Sequence, residues 1–305
     1  MFIGIDTSNY TTSTAAYDGE NILNVRKLLP VRRGERGLRQ SDALFQHVKQ
    51  FPDLFEELMH EVDKVDAIGV SIRPRDCDGS YMPVFLAGES FARTAAALLG
   101  VPLYRFSHQD GHIMAALYSL GITELSDEKF LSVHISGGTT EIIETRYNGY
   151  NFDAEVIGGT KDISAGQFID RVGVKAGMQF PCGRELEQLS KQTKTIMKLP
   201  VCEKDGYINF SGVETKVQRM EAITADVALG VFDNIARSLT RAINYCSEKS
   251  KCGKVVVVGG VASNEYISEY LKKHTKGQIF IAEPQYATDN AAGIAVLTER
   301  AYRNE

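Results

Sequence analysis

Phe2–Ser13 reads FIGIDTSNYTTS and Phe130–Glu141 reads FLSVHISGGTTE, and the two stretches superimpose without a gap. Phe2 falls on Phe130, Ile5 on Val133, Ser8 on Ser136, and Thr11–Thr12 on Thr139–Thr140. Each opens with an apolar run, passes through small polar residues and resumes, which is the pattern of two strands joined by a turn. The spacing is too long for a solenoid repeat and suits a duplicated lobe. Chance likeness of two short apolar-polar segments is the competing explanation.

Outward from these anchors the chain alternates strands and helices, so the expected class is α/β. Phe2–Thr7 pairs with Thr12–Tyr17, Ala67–Ser71 is a short apolar strand, and Ser90–Leu99 is a small-residue helix. Lys129–Ile135 and Glu141–Arg146 form the second strand pair. Across Ala222–Tyr245, the residues Ala228, Phe232, Ile235, Leu239 and Ile243 recur at helical spacing and predict a core-facing stripe. Lys254–Val258 is a buried-strand run, and Asn290–Tyr302 a closing helix.

The 305 residues, 43% of them hydrophobic, suffice for more than one lobe. No apolar run approaches a membrane span, and MFIGIDTSNY lacks the layout of a signal peptide, so a soluble cytoplasmic protein is expected. The five cysteines, Cys77, Cys182, Cys202, Cys246 and Cys252, show no CxxC spacing and read as reduced thiols. A net charge of −5 excludes a uniformly basic nucleic-acid surface; an RNA partner would need a local patch or another subunit. Between Arg26 and Arg39, six basic residues (Arg26, Lys27, Arg32, Arg33, Arg36, Arg39) stand against Glu35 alone, a local +5. That run suits a solvated loop or an RNA contact. Arg73-Pro74-Arg75, after a strand end, suits an anion contact or a structural salt bridge.

Three turns carry candidate chemistry. Thr7–Thr12 and Ser136–Thr140 leave backbone N–H groups and hydroxyls free to face an anion. Gly259–Asn264, GGVASN, lies between VVVV and a helical EYISEYL, a familiar setting for a nucleotide phosphate. Each alone is equally an ordinary tight turn; three in one chain point to a nucleotide site. In Ser107–His112, SHQDGH, His108 and His112 are four residues apart at the head of an apolar helix with Ser107 as its cap. On one helix face they can grip one ion. Two surface or capping histidines fit the same spacing. Asp289, with Thr288 as a cap, opens the closing helix; two imidazoles and a carboxylate would suit iron, zinc or manganese. His47, His60 and His274 sit in charged helical contexts and are expected to be solvated.

IGIDTS, SHQDGH, SGGTTEII, SAGQFIDRVGVKAGMQFPCGRELEQL, INFSGVETKV, VVGGVASN and ATDNAA, in this order along nearly the whole chain, resemble the threonylcarbamoyl transferases that modify tRNA. That family comprises the bacterial TsaD proteins and their archaeal-eukaryotic relatives, once called glycoproteases. The resemblance implies the actin/Hsp70-like (ASKHA) fold: two ribonuclease-H-like lobes around a cleft, the first at residues 1–125 completed by helix 290–305, the second at 126–289. It places His108, His112 and Asp289 on the family's metal ligands, the divalent ion being iron or zinc. It places His134, Ile135, Ser136, Gly137, Gly138, Asp170, Gly183 and Asn264 on its nucleotide and substrate contacts.

The implied reaction moves a threonylcarbamoyl group from its adenylate to the exocyclic amine of a tRNA adenine. By that resemblance the ion polarises the carbamoyl carbonyl, glycine amides hold phosphate, and Asp170 holds a hydroxyl. Adenylate substrate, tRNA, and partner proteins or a homodimer are the implied partners, with no membrane.

Departures from the family pattern cluster in the first lobe. DTSNYTTS stands for ETSCDETS, so Asn9, Tyr10 and Thr11 replace Cys-Asp-Glu, and Arg73-Pro74-Arg75 replaces Gly-Pro-Gly. Cys182 replaces the first glycine of a Pro-Gly-Gly turn, Glu214 a lysine, and Thr139 the usual His or Asn. They suggest a paralogue with altered donor, acceptor or partner. Two alternatives remain: an actin-like ATPase or kinase using Asp6, with Ser8 and Asn9, at a phosphate or Mg²⁺ site, and a nucleotide-binding scaffold without turnover. No HExxH motif supports a peptidase.

Overall fold

The computed structural model describes residues 1–8, 10–30, 38–77, 79–282 and 291–305. The chain divides into two compact units, Met1–Asp127 with Tyr147–Asp153 and Gln285–Glu305, and Glu128–Arg146 with Ala154–Pro284.

The first unit is built on five strands: β1 (Phe2–Thr7), β2 (Thr11–Tyr17), β3 (Ile22–Leu28), β4 (Ala67–Arg73) and β5 (Leu103–Ser107), in the order β3-β2-β1-β4-β5. β1 pairs antiparallel with β2, Thr7 facing Thr12, and parallel with β4. β2, TTSTAAY, is buried along its whole length although five of its seven residues bear hydroxyls. The hydroxyls find partners inside: Ser13 Oγ donates to Asn24 Oδ1 at 3.1 Å, and Thr12 Oγ1 bonds to Gln50 Oε1 at 2.8 Å.

Three helices follow: α1 (Gln40–Met59), α2 (Phe85–Leu99) and α3 (His108–Ser119). α1 turns Ala43, His47, Gln50, Phe51, Leu54 and Leu58 inward. His47 is therefore fully buried, not solvated, whereas His60 and His274 are exposed as expected. Burial of His47 is possible because both ring nitrogens are engaged, Nε2 with Ser8 O at 2.8 Å and Nδ1 with Thr12 Oγ1 at 2.9 Å. Desolvation holds its pKa below the usual histidine value, against that hydrogen bond to Ser8.

The second unit repeats the plan. Its strands are β6 (Phe130–Ile135), β7 (Thr140–Tyr147), β8 (Phe152–Thr160), β9 (Glu203–Lys204), β10 (Tyr207–Ile208), β11 (Lys254–Val258) and β12 (Gln278–Ile281). The order is β12-β11-β6-β7-β8-β10-β9. Five consecutive strands, β8-β7-β6-β11-β12, match β3-β2-β1-β4-β5 strand for strand. β6 and β7 pair antiparallel with Ile135 facing Thr140, the same register as Thr7 with Thr12. The echo in the sequence is thus a structural duplication, and His134 occupies the strand position that Asp6 occupies in the first unit.

Helices α4 (Ala165–Lys175), α5 (Gly183–Ser190), α6 (Ser211–Gln218), α7 (Ala225–Ser250) and α8 (Glu265–His274) complete this unit. The stripe predicted on α7 is at most 1% exposed at Ala228, Phe232, Ile235, Leu239 and Ile243. Burying each large apolar side chain contributes about 1.5–3 kcal/mol before entropy is counted.

The closing helix, α9 (Ala292–Asn304), returns to the first unit and packs on β1, β2, β4 and α3. Glycines make the close approach possible. A Cβ on Gly4 would stand 2.4 Å from Ala291 O, and one on Gly293 1.9 Å from Gly111 O. α9 begins at Ala292 rather than Asn290; Thr288 and Asp289 lie outside the described residues, as do Asn9, Arg32, Arg33 and Arg36. Among the described residues no helix is long and apolar enough to cross a membrane. All five cysteines are free.

Candidate functional site

In the first unit the chemistry gathers where β1, β4 and α3 meet. α3 starts where the sequence places it. Ser107 Oγ accepts from Asp110 N at 3.1 Å, and Asp110 Oδ2 accepts from Ser107 N at 2.8 Å and from Ser107 Oγ at 2.6 Å. This reciprocal cap satisfies N–H groups that the first helical turn otherwise leaves orphaned. Asp110 Oδ1 also accepts from Phe152 N at 3.2 Å. Burial pushes the Asp110 carboxyl above the usual range while the Ser107 bonds oppose it.

With its first turn fixed, α3 presents His108 and His112 on one face. Their rings meet edge to face at 4.3 Å, with Nε2 to Nε2 at 2.9 Å. His108 Nδ1 lies 2.8 Å from Asp6 Oδ1, and Ser71 Oγ donates to the same oxygen at 2.5 Å. Asp6 is fully buried, and its Oδ2 has no hydrogen-bond partner among the described residues.

These residues fit a divalent ion. Two imidazole nitrogens at about 2.1 Å from one ion stand roughly 3 Å apart in octahedral and about 3.4 Å apart in tetrahedral coordination, so the observed 2.9 Å, which is also a hydrogen-bond distance between the rings, is compatible with a ligand pair. Imidazole donors suit iron, zinc or manganese rather than Mg²⁺, which prefers oxygens. Among the described residues no third His, Cys, Asp or Glu completes such a cluster, and Asp289 lies outside them.

β4 supplies Ser71 and, past a register shift, Arg73 opposite Ser107. The bulge re-aims Arg73, whose guanidinium pairs with Asp76; Asn151 donates to the other oxygen of that carboxylate. Arg73 Nε is buried without a partner. Pro74 O accepts from Gln109 N at 3.0 Å, tying the loop to the first turn of α3. Ser8 and Thr11 are buried and Tyr10 is exposed at the β1–β2 turn.

In the second unit, the turn from His134 to Gly138 is shaped by Ser136. Its N donates to Thr139 O at 2.8 Å, and its Oγ accepts from Gly138 N at 3.3 Å and Thr139 N at 3.0 Å. Two consecutive N–H groups thus converge on one oxygen, the geometry that an anion's oxygen would use. A Cβ on Gly137 or Gly138 would meet nothing within 4 Å, so the outer side of the turn is open. His134 Nε2 lies 3.1 Å from Ser132 Oγ, and Ile135 is fully buried.

The start of α4 clamps this turn. Ser164 Oγ donates to Gly137 O at 2.7 Å, and Ala165 N donates to Thr140 Oγ1 at 2.9 Å. Sequence reasoning missed Ser164 and Gly166, though Ser164 with Gln167 spells a capping box that could have exposed the helix start. A Cβ on Gly166 would lie 2.5 Å from both Gly137 Cα and Ser136 O. Backbone cannot rotate away, so Gly166→Ala must displace the turn. The expected result is an AMP affinity reduced at least ~10-fold by calorimetric titration, with thermal stability lowered by about 1–3 kcal/mol. Unchanged AMP binding would disconnect this turn from the nucleotide.

Of the remaining candidates, Asp170 on α4 accepts from Cys182 N through Oδ1 at 2.9 Å. Cys182 is buried at the head of α5, and desolvation, then Asp170, pushes its thiol upward, which argues against a nucleophilic thiolate. Its side chain fills the space that Gly173 leaves, since a Cβ there would stand 2.2 Å from Cys182 Cβ. Gly183 opens α5 with free space around it. Asn264 Oδ1 accepts from Ile267 N at 3.0 Å and caps α8. Gly259, at φ +106°, is required by Ile135 O, 2.3 Å from where its Cβ would stand. Glu214 lies 3.9 Å from Arg171 Nη1.

Residues 33–296 match the family model described as TsaD, tRNA N6-adenosine threonylcarbamoyltransferase. A protein of that name from Carboxydothermus hydrogenoformans is 29% identical over 99% of this chain and 92% of its own length. A probable bifunctional tRNA threonylcarbamoyladenosine biosynthesis protein from Methanocaldococcus jannaschii is 28% identical over 94% of this chain, which spans 52% of it. Among solved structures, HypF from T. kodakarensis aligns with a TM-score of 0.65 at 13% identity, over 100% of this chain and 48% of that one. Component A of (R)-2-hydroxyglutaryl-CoA dehydratase from Acidaminococcus fermentans aligns at 0.56 and 16% identity, over 99% and 98%. A ROK hexokinase from Thermus thermophilus aligns at 0.56 and 14% identity, over 99% and 98%. The fold is the actin-like, ASKHA-type α/β fold.

Proposed function

This chain belongs to the tRNA N6-adenosine threonylcarbamoyltransferase family, and from that premise we propose that it transfers a carbamoyl-type group from an adenylate to the N6 amine of an adenine in tRNA. The observation that carries the reading within the molecule is the imidazole pair at the head of α3, Nε2 to Nε2 at 2.9 Å, in a chain matching the family over most of its length. The amine lone pair attacks the carbamoyl carbon, the carbon–oxygen bond to the phosphate breaks, AMP leaves, and the amine proton passes to water. AMP is a good leaving group, so no protein nucleophile is needed, in keeping with the absence of an activated thiol at Cys182.

His108 and His112, with Asp289, would hold one divalent ion, iron or zinc. When bound, such an ion supplies Lewis-acid polarisation of a carbonyl. The protein's own contribution is positioning. In the second unit, the open turn of Ser136, Gly137 and Gly138 would face the adenylate phosphate, Gly137 offering its N–H while those of Ser136 and Gly138 hold the turn, and His134 and Ile135 would set the strand end that carries it. Asp170, with Oδ1 committed to Cys182 N, would offer its other oxygen to a hydroxyl, while Gly183 leaves room at the head of α5 and Asn264 fixes that of α8.

The donor or acceptor need not be the family's usual one. Arg73 stands where the resemblance expects glycine and is re-aimed by a bulge, with its Nε unpartnered and buried. Beyond the pairing of Arg73 with Asp76, that Nε would offer one further donor to an anionic group. A protein partner is supported by the M. jannaschii relative, in which the matching half is joined to a further segment. A tRNA acceptor places the reaction in the cytoplasm. The ATPase alternative would have to use Asp6 Oδ2, since Oδ1 is engaged by Ser71 and His108.

The test supplies metal-loaded protein with unmodified tRNA and synthetic threonylcarbamoyl-adenylate, and reads nucleosides by mass spectrometry. A lysate of host cells deleted for the gene is added in a parallel arm to provide partners. A threonylcarbamoyl or related carbamoyl mass on adenosine is expected. No modified adenosine in either arm, while the C. hydrogenoformans relative modifies the same tRNA, would overturn the transferase reading; efficient modification equal to that relative's would overturn the altered-donor reading.

A further inference from the structure

We infer that Asp6 is a positioning carboxylate that fixes the tautomer of His108. Asp6 sits at the penultimate position of β1, fully buried, with parallel β4 beside it. Two donors converge on its Oδ1: the Ser71 hydroxyl at 2.5 Å and His108 Nδ1 at 2.8 Å. Oδ1 is already the acceptor for the Ser71 hydroxyl, so it accepts from His108 as well and the proton of the contact belongs to Nδ1. A neutral imidazole protonated at Nδ1 carries its lone pair on Nε2, the nitrogen that faces His112 Nε2 at 2.9 Å. The bond from Asp6 therefore aims an electron pair at the spot where the two imidazoles converge. A carboxylate behind a histidine ligand orients the ring and raises its basicity.

Ser71 makes the arrangement specific. Its hydroxyl has one proton, spent on Oδ1 from the neighbouring strand. A structural aspartate would satisfy both oxygens, yet Oδ2 is buried with no hydrogen-bond partner among the described residues. An unsatisfied buried acceptor is unfavourable, so packing alone does not account for an aspartate here. Polarising His108 does.

The consequence for metal affinity rests on the metal reading of the imidazole pair; the tautomer does not. Both are therefore measured. In metal-free wild type labelled with ¹⁵N-histidine, long-range proton–nitrogen correlation should show His108 protonated at Nδ1. Zn²⁺ titrated alone against a competing chelator should bind Asp6→Asn about 10–100-fold more weakly than wild type. Asp6→Glu, which keeps the charge, should recover most of that loss, and near-ultraviolet dichroism checks that each variant is folded. His108 protonated at Nε2 in the wild type, or Asp6→Asn binding Zn²⁺ as tightly as wild type, would overturn the inference. If wild type binds no Zn²⁺ yet His108 carries its proton on Nδ1 and shifts in Asp6→Asn, the metal reading fails and the positioning role stands. Should Asp6→Asn not fold, the wild-type tautomer still decides.

Discussion

Gly293→Ala is expected to lower the stability of the first unit by about 3 kcal/mol or more, at the upper end of the range for overpacked cores. The added Cβ would stand 1.9 Å from Gly111 O and 2.6 Å from Ala115 N. Both are backbone atoms inside α3, so no side-chain rotation relieves the clash. Ordinary carbon contact begins near 3.5 Å, so α9 must move away from α3 by roughly 1.5 Å. It cannot do so freely, because its other faces are seated on β1 and β4. A Cβ on Gly69 would already meet Thr298 Oγ1 at 1.9 Å, and one on Gly4 would meet Ala291 O at 2.4 Å. A melting temperature about 6–12 °C below wild type follows for a unit of this size. Gly212→Ala is the control: nothing lies within 4 Å of its Cβ position in α6. Scanning calorimetry of both variants checks the argument. A Gly293→Ala protein melting within about 2 °C of wild type would show that the helices are not held at this distance.

The same close packing explains what the sequence could and could not reveal. The echo between Phe2–Ser13 and Phe130–Glu141 predicted two strand pairs, and the structure returns them in one register within one repeated sheet order. The α7 stripe and the Ser107 cap were also legible, because periodicity and capping chemistry are written in residue types. α1 was harder to read. Its inward face carries His47 and Gln50, polar groups whose burial depends on Thr12 and Ser8 some forty residues earlier. Local pattern counts such residues as solvent-facing. Ser71 escaped notice for a related reason, as its only signal is its position two residues before Arg73 on a strand whose partner is Asp6. Gly166 and Gly293 act through atoms they lack, and a missing Cβ has no periodicity. Asp6 was noticed, but as a phosphate-side carboxylate; its bond to His108 spans 102 positions and became visible only in the fold.

Loss of either imidazole at the head of α3 should produce the largest functional effect. His108→Ala and His112→Ala are each expected to drop bound metal from near-stoichiometric to below about a tenth, and carbamoyl transfer at least ~100-fold, about 2.7 kcal/mol of activation free energy. The physical ground is the 2.9 Å meeting of two Nε2 atoms on consecutive turns of a helix whose start is capped on both sides. Removing one leaves a single nitrogen beside the Asp289 carboxylate, fewer protein donors than such a site uses to hold an ion against water. The two variants should differ in stability. His108→Ala also strips a donor from Asp6 Oδ1, leaving a buried carboxylate with Ser71 alone, whereas His112→Ala leaves that contact intact. His108→Ala should therefore melt lower than His112→Ala, and His108→Asn, whose amide can still donate to Asp6, should fall between them. Elemental analysis after anaerobic purification, calorimetry and the nucleoside assay on one set of preparations separate these effects. Asp289→Ala belongs in that set, since it is the carboxylate that the resemblance assigns to the same ion. Folded His variants that retain full metal would move the ion elsewhere in the chain, and metal-free wild type that transfers as fast as loaded protein would remove the ion from the reaction.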